Sequence, residues 1–304
     1  MKKISVVVPT YNQATYLPAC LDSIWFQDYD DLEVVVVNDG STDDTVEVLE
    51  RYQSGLTNDQ ISYANFFDEE KNELKRRCHE RYRKAGRDLT IIEHEQNRGL
   101  ATALNSGFRI CQGEYCTYVP SDDICYPSMF SEMARAIQEK GADFVYADMF
   151  IVDDQGRIIR QFQLPDYSFE SCFQDWYLCG VAKLYRRALH ERWGYYDEKL
   201  LAHDHELFLR FAMNGAYFCH VPRVLMAVRD HSAEREIYIH SPENWNRLIE
   251  ESKALVKIAR DFSERREICE PDQEIEIVCQ KGEGVVGSDS VGLQVGLNDR
   301  PLII

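Results

Sequence analysis

Val34-Val35-Val36-Val37-Asn38-Asp39-Gly40-Ser41-Thr42-Asp43 is the stretch that decides the fold. Four successive β-branched apolar residues leave no polar face, which suits a strand buried on both sides of a parallel sheet. The run then breaks into turn-forming residues. Ser41, followed three residues later by Asp44, fits a helix-starting cap, and a helix is predicted from there to about Tyr52.

The same alternation extends in both directions. Ile4–Val8 reads as a short apolar strand ahead of Pro9, and Leu17, Cys20, Leu21, Ile24 and Trp25 recur with the spacing of an amphipathic helix. Downstream, Leu89–Glu93 and Tyr115–Val119 read as strands and Gly99–Ile110 as a helix. A helix at about 128–139 follows, then strands near Asp143–Ala147 and Met149–Val152. A turn at 153–156 leads to a strand at Ile158–Phe162. This order predicts an α/β fold with a mostly parallel sheet and helices on both faces. The later part is mixed, with a helix near Asp204–Asn214. Ser241-Pro242 opens a longer helix that carries Trp245, Leu248, Ile249, Leu255, Val256 and Phe262 on one stripe.

Two segments stand apart. Residues 67–88 are densely charged with both signs interspersed, and Glu73–Arg77 and Glu80–Lys84 are favourable i,i+4 pairs, so a solvated insertion helix is predicted. Residues 261–304 hold ten acidic against four basic residues and become rich in Gly and Val, which marks an appended element. The expected organisation is one unit over 1–263, with halves at about 1–125 and 126–240 and a packing helix at about 242–262. A C-terminal extension of unassigned role occupies 264–304.

Composition narrows the function. Among 304 residues, 34 Lys and Arg face 52 Asp and Glu, a formal net charge of −18. That field repels nucleic acid and anionic membranes, and a phosphate ligand here needs a local cation or a metal. The apolar stretch after Met1-Lys2-Lys3 is too short for a secretory signal, and no run of about 18 apolar residues occurs. The ten cysteines are scattered without a Cys-x-x-Cys pair. Reduced thiols in the cytoplasm are the expectation, with at most peripheral attachment to the inner face of a membrane.

Parallel sheets bind ligands at the carboxyl ends of their strands. The polar clusters predicted at such ends are Pro9-Thr10-Tyr11-Asn12, Asn38-Asp39-Gly40-Ser41 and Ser121-Asp122-Asp123, together with the region around Asp204. No Gly-x-Gly-x-x-Gly follows a strand and no Gly-x-x-x-x-Gly-Lys-Ser/Thr loop is present, so no glycine cradle holds a nucleotide. Adjacent Asp122 and Asp123 repel each other. They read either as a site for a cation or hydroxyls, or as an ordinary solvated turn.

Ser5-Val6-Val7-Val8-Pro9-Thr10-Tyr11-Asn12, Val37-Asn38-Asp39-Gly40-Ser41-Thr42-Asp43, Asn97-Arg98-Gly99-Leu100-Ala101 and Ser121-Asp122-Asp123 occur in that order. Together they resemble the family 2 glycosyltransferases, inverting enzymes of the GT-A fold, over roughly residues 3–232. Pro120 departs from the family's frequent Asp-x-Asp-Asp. The resemblance implies a nucleotide-sugar donor, in most cases a UDP-sugar. Pro9 and Tyr11 would line the base, Tyr11 by stacking; Asp39 would accept from the uracil imide and Arg98 would touch the base edge. Asp122 would hold the ribose or assist a metal, and Asp123 would coordinate Mn²⁺ or Mg²⁺ at the diphosphate.

Gly180–Arg187 and Trp193–Glu198 resemble the family's acceptor-side segment, and His203-Asp204 stands where Glu-Asp is common. By that resemblance Asp204 is the general base. His203 and His205 do not read as a metal pair, because residues two apart on a helix point about 200° away from each other. Arg229-Asp230-His231 matches a late Arg-x-His segment, which implies His231 as a metal ligand or diphosphate contact supported by Arg229. The Gln-x-x-Arg-Trp motif of processive synthases is absent. The implied reaction is single transfer to an acceptor hydroxyl on a glycan, lipid-linked or protein acceptor, in polysaccharide or glycoconjugate synthesis. The rival readings are a sugar-nucleotide-binding module without catalysis and a metal-dependent hydrolase.

Overall fold

The computed structural model describes residues 2–58, 60–68, 73–82, 85–180, 182–230 and 241–269. The chain opens with β1 (Ile4–Thr10), α1 (Leu17–Trp25), β2 (Leu32–Asn38) and α2 (Thr45–Asn58). Strands β3 (Gln60–Asp68), β4 (Glu73–Glu80) and β5 (Arg87–Glu93) follow, then α3 (Leu100–Ile110), β6 (Tyr115–Tyr118) and β7 (Ile124–Cys125). Next come α4 (Met129–Lys140), β8 (Phe144–Val152), β9 (Ile158–Phe162), α5 (Phe169–Phe173), β10 (Lys183–Arg186) and α6 (Ala188–Trp193). Helix α7 (His203–Met213), β11 (Phe218–Arg229) and α8 (Pro242–Cys269) complete the described chain.

Nine strands form one sheet in the order β5-β2-β1-β6-β10-β8-β11-β7, with β9 pairing on β8. Strands β5, β2, β1 and β6 are mutually parallel, and β8 is parallel to β11. Strand β10 runs antiparallel between β6 and β8, which separates a parallel half from a mixed half. Every residue of β1 and β2 is buried, as the unbroken valine runs require. The chain builds outward from β1 to β2 and β5, then returns to the other side of β1 as β6. The resulting switch point lies at β1/β6, where open α/β sheets form a ligand crevice.

Helix α3 packs directly on this half. A Cβ at Gly107 would lie 2.4 Å from Val7 Cγ1, so only glycine allows that approach. At the strand ends, Gly40 has φ +71°, and a Cβ there would lie 2.4 Å from the Gln96 carbonyl carbon. The turn after β2 and the loop after β5 therefore touch backbone to backbone.

Four expectations are corrected. The charged segment is not a helix: β3 and β4 pair antiparallel, with Asn65 opposite Arg76 and Phe66 opposite Lys75. The i,i+4 pairs that suggested a helix are worth only a few tenths of a kcal/mol each, whereas Ile61–Phe67 has the β-branched and aromatic content of a strand. The strands expected at 143–147 and 149–152 are one, β8, which keeps Asp148 inside it because the carboxylate accepts from Leu164 N–H and pairs with His220. Third, α2 starts at Thr45, with Asp43 accepting its N–H, while Ser41 Oγ accepts from Asn12 N–H. Helix α8 runs on to Cys269, past the expected end near 262; residues 270–304 and His231 lie outside the described residues.

Candidate active site

Parallel pairing brings the ends of β1, β2, β5 and β6 to one edge of the sheet. The loops there are tied together. Asn12, in the left-handed region at φ 54°, accepts from Thr42 N–H at 2.7 Å through its amide oxygen. Tyr11 beside it is 44% exposed, free to present a ring face. Pro9 is buried within β1, and the ladder with β6 ends at Val7–Tyr118, before a missing proline N–H could matter.

Asp39 is buried and takes donors on both oxygens. His94 Nδ1 lies 2.6 Å from Oδ1, Arg98 N–H reaches both oxygens at 3.0 Å, and Gly99 N–H donates to Oδ2 at 2.8 Å. This carboxylate thus holds the 94–99 loop in place with both of its oxygens engaged. Arg98 lines the cavity described below.

Asp122 and Asp123 follow β6. Asp123 is buried and its Oδ1 accepts from Arg229 N–H at 2.9 Å. The Arg229 guanidinium donates to the carbonyls of Asp122, Asp153 and Asp154 and sits 4.7 Å over the Tyr16 ring. Arg229 therefore locks the Asp-Asp turn against the end of β11; the support expected of it for His231 falls on a residue outside those described. Carboxylate oxygens are the hard donors that Mg²⁺ and Mn²⁺ take alongside substrate phosphates, so this turn fits such an ion. Among the described residues, no three His, Cys, Asp or Glu side chains converge into a metal cage.

Asp204 lies in the first turn of α7 and is 6% exposed. The Tyr118 hydroxyl donates to its Oδ2, and Oδ1 has no hydrogen-bond partner. Burial first, and the Asp204 charge second, push the Tyr118, Tyr177 and Tyr196 phenols well above their usual pKa, so all three keep their protons. Lys183, on β10 and fully buried, places its ammonium 3.7 Å over the Tyr118 ring. Burial lowers its pKa to about 8, and the charges of Asp204 and Asp123 act against that fall. A buried cation thus shares the field of both carboxylates.

A cavity of about 360 Å³ opens over Asp204, lined by Arg98, Tyr118, Glu198, His203 and Arg247 among others. Glu198 accepts from Asn105 Nδ2 at 2.9 Å and Thr102 Oγ1 at 3.1 Å, and the Asn105 bond leads in holding its carboxyl below the usual range. The cavity joins Asp204 to Arg98; Tyr11, Asp39, Asp122 and Asp123 do not line it. His205, by contrast, packs its ring 5.6 Å from that of Tyr177, with no partner on either nitrogen, and burial lowers its pKa to about 4. It is a neutral packing histidine.

Tyr118, Lys183 and Glu198 were not picked out individually from the sequence. A lysine between Ala182 and Leu184 in an apolar strand was the available signal.

The sequence model of the family described as Glycosyl transferase family 2 matches residues 5–75 and 67–194. The chain belongs to glycosyl transferase family 2. Its α/β sheet is that of the GT-A glycosyltransferases. This family member is 30% identical over 151 residues to glycosyltransferase GlyG of Streptococcus pneumoniae serotype 4, covering 50% of this chain and 40% of GlyG. An uncharacterised glycosyltransferase of Rickettsia typhi is 26% identical over 243 residues, 76% of this chain and 65% of that protein. The chain thus spans less than two thirds of the length of these relatives. Among solved structures, S. aureus TarS 1–349 in complex with UDP-GlcNAc superposes with a TM-score of 0.61 at 25% identity, over 84% of this chain and 66% of that one. Asp204 and α8 lie beyond the last residue that the family model matches.

Proposed function

We propose that the protein transfers a sugar from a UDP-sugar to an acceptor hydroxyl with inversion, and that Asp204 is the general base. The observation that carries this reading is the Asp204 carboxylate itself. One oxygen is fixed by Tyr118, the other is buried without a hydrogen-bond partner, and the residue lines a cavity where a hydroxyl can dock. An orphaned carboxylate oxygen in a low-dielectric site is costly unless a donor arrives, and an acceptor O–H is such a donor. As the hydroxyl attacks the anomeric carbon, its proton passes to Asp204 and the bond to the diphosphate breaks on the opposite face.

The donor is placed at the strand ends, with Tyr11 as the stacking surface for the base and Pro9 beneath it. Asp39 and Arg98 act at the base edge, Asp39 by sharing an oxygen that now holds the 94–99 loop. UDP as the nucleotide is supported by the likeness to S. aureus TarS in complex with UDP-GlcNAc. Asp122 and Asp123 would hold Mn²⁺ or Mg²⁺, with His231 as a further ligand. When bound, such an ion supplies positive charge to the leaving diphosphate, which a chain of net charge −18 otherwise lacks. No described helix is long and apolar enough to cross a membrane.

Incubation with UDP-GlcNAc and MnCl₂, followed by proton NMR of the released or transferred sugar, tests the reaction class. An anomeric configuration opposite to the donor's is expected. A retained configuration contradicts direct displacement assisted by one base.

A further inference from the structure

Helix α7 carries Asp204 in its first turn, yet its N-cap is Ala202, a residue with no side-chain acceptor. The acceptor comes instead from α8. Glu251 Oε2 receives the N–H of Leu201 at 2.7 Å and of Ala202 at 2.9 Å. Its other oxygen takes Arg247 Nε at 2.8 Å, and the Arg247 guanidinium also donates to the carbonyl of Lys199. Two amides and one carbonyl of the 199–202 turn are thus tied to a single stretch of α8. Between the two ties, Leu248 is buried and lines the cavity over Asp204.

The side chain of Glu251 is 15% exposed, so water competes weakly for its bonds. Carboxylate-to-amide hydrogen bonds are strong for their kind, and a negative charge ahead of a helix N-terminus is favoured by the aligned peptide dipoles. Without Glu251, two amide donors lose their acceptor, and the turn that leads into Asp204 is free to rotate. A displacement of about 1 Å in a catalytic group is enough to cost roughly 100-fold in rate.

We propose that Glu251 is a positioning residue for the transfer reaction, holding the 199–202 turn so that Asp204 enters the cavity at a fixed angle. Helix α8 is then part of the catalytic unit rather than a packing element. The inference rests on Asp204 as base. It concerns residues beyond the span that the family model matches, which ends at 194.

The test uses the full chain with Glu251→Ala, Glu251→Gln and Glu250→Ala, reading UDP release from UDP-GlcNAc and UDP affinity by calorimetry. Glu250 is a matched control, 72% exposed and, among the described residues, paired with Lys253 alone. Glu251→Ala is expected to lower kcat roughly 10- to 100-fold with UDP affinity unchanged. Glu251→Gln, whose amide oxygen still accepts, recovers most of the loss, and Glu250→Ala matches wild type. Wild-type kcat in a folded Glu251→Ala overturns the proposal, as does an equal loss in the Gln variant. Should the Ala variant not fold, amide hydrogen exchange of the wild type decides: Leu201 and Ala202 exchange slowly if Glu251 holds them, and exchange at the free-chain rate overturns it. Inactive Asp204→Asn beside fully active Glu251→Ala removes this inference alone, whereas active Asp204→Asn removes the base assignment beneath it.

Discussion

Tyr118, the last residue of β6, donates its hydroxyl to Oδ2 of Asp204 in the first turn of α7, joining the two halves of the sheet at the cavity. The bond holds the orientation of a carboxylate whose other oxygen is buried without a partner. Tyr118→Phe removes only the hydroxyl and leaves the ring under the Lys183 ammonium. A buried carboxylate oxygen then loses its donor, which costs about 1–3 kcal/mol. A lower melting temperature and a fall in kcat of roughly tenfold are expected, measured by thermal unfolding and UDP release. Unchanged values for both would show that the bond orients nothing.

Acid sensitivity follows from His205. Burial without partners lowers its pKa in the folded protein to about 4, against about 6.5 for a free imidazole. Between those values the unfolded chain binds the extra proton. The stabilisation is therefore complete above about pH 6.5 and is lost as pH falls through 4, amounting to about 2 kcal/mol between pH 7 and pH 5. His190, lowered to about 4 mainly by burial, acts over the same window. His205→Phe keeps the packing on Tyr177 and removes one titrating group. Its melting temperature should drop less than that of wild type from pH 7 to pH 5. An identical drop in both proteins would place the acid sensitivity elsewhere.

Divalent ions should strengthen UDP binding through the Asp122-Asp123 turn. Calorimetry with Mn²⁺, with Mg²⁺ and with excess chelator is expected to show tight, ion-dependent binding in wild type. In Asp123→Ala, binding should be weak and insensitive to the ion. Ion dependence that survives Asp123→Ala would assign the ion to other ligands.

The strand ends were legible because each valine run stops on a polar cluster, and parallel pairing places all those clusters on one edge. The role of base given to Asp204 came only through resemblance, since its surroundings come from Tyr118, Tyr177 and Tyr196, up to 86 residues away in sequence. The β3–β4 hairpin was misread because side-chain charge pairs were weighed above the strand character of Ile61–Phe67. That Asp39 already holds Arg98 and Gly99 was illegible too, since main-chain amides carry no sequence signal. The same holds for Glu251, whose partners are the amides of Leu201 and Ala202.

The central claim is that Asp204 takes the acceptor's proton. Asp204→Asn keeps the size of the side chain and an oxygen for the Tyr118 hydroxyl, yet removes the basic carboxylate. The direct measurement is the rate of UDP release, with the nucleotide sugar that wild type turns over, UDP-GlcNAc first. A fall of roughly 10²–10⁴-fold is expected, with UDP affinity held at the wild-type value because Tyr11, Asp39, Asp122 and Asp123 do not line the cavity that holds Asp204. A wild-type rate in Asp204→Asn would contradict the account.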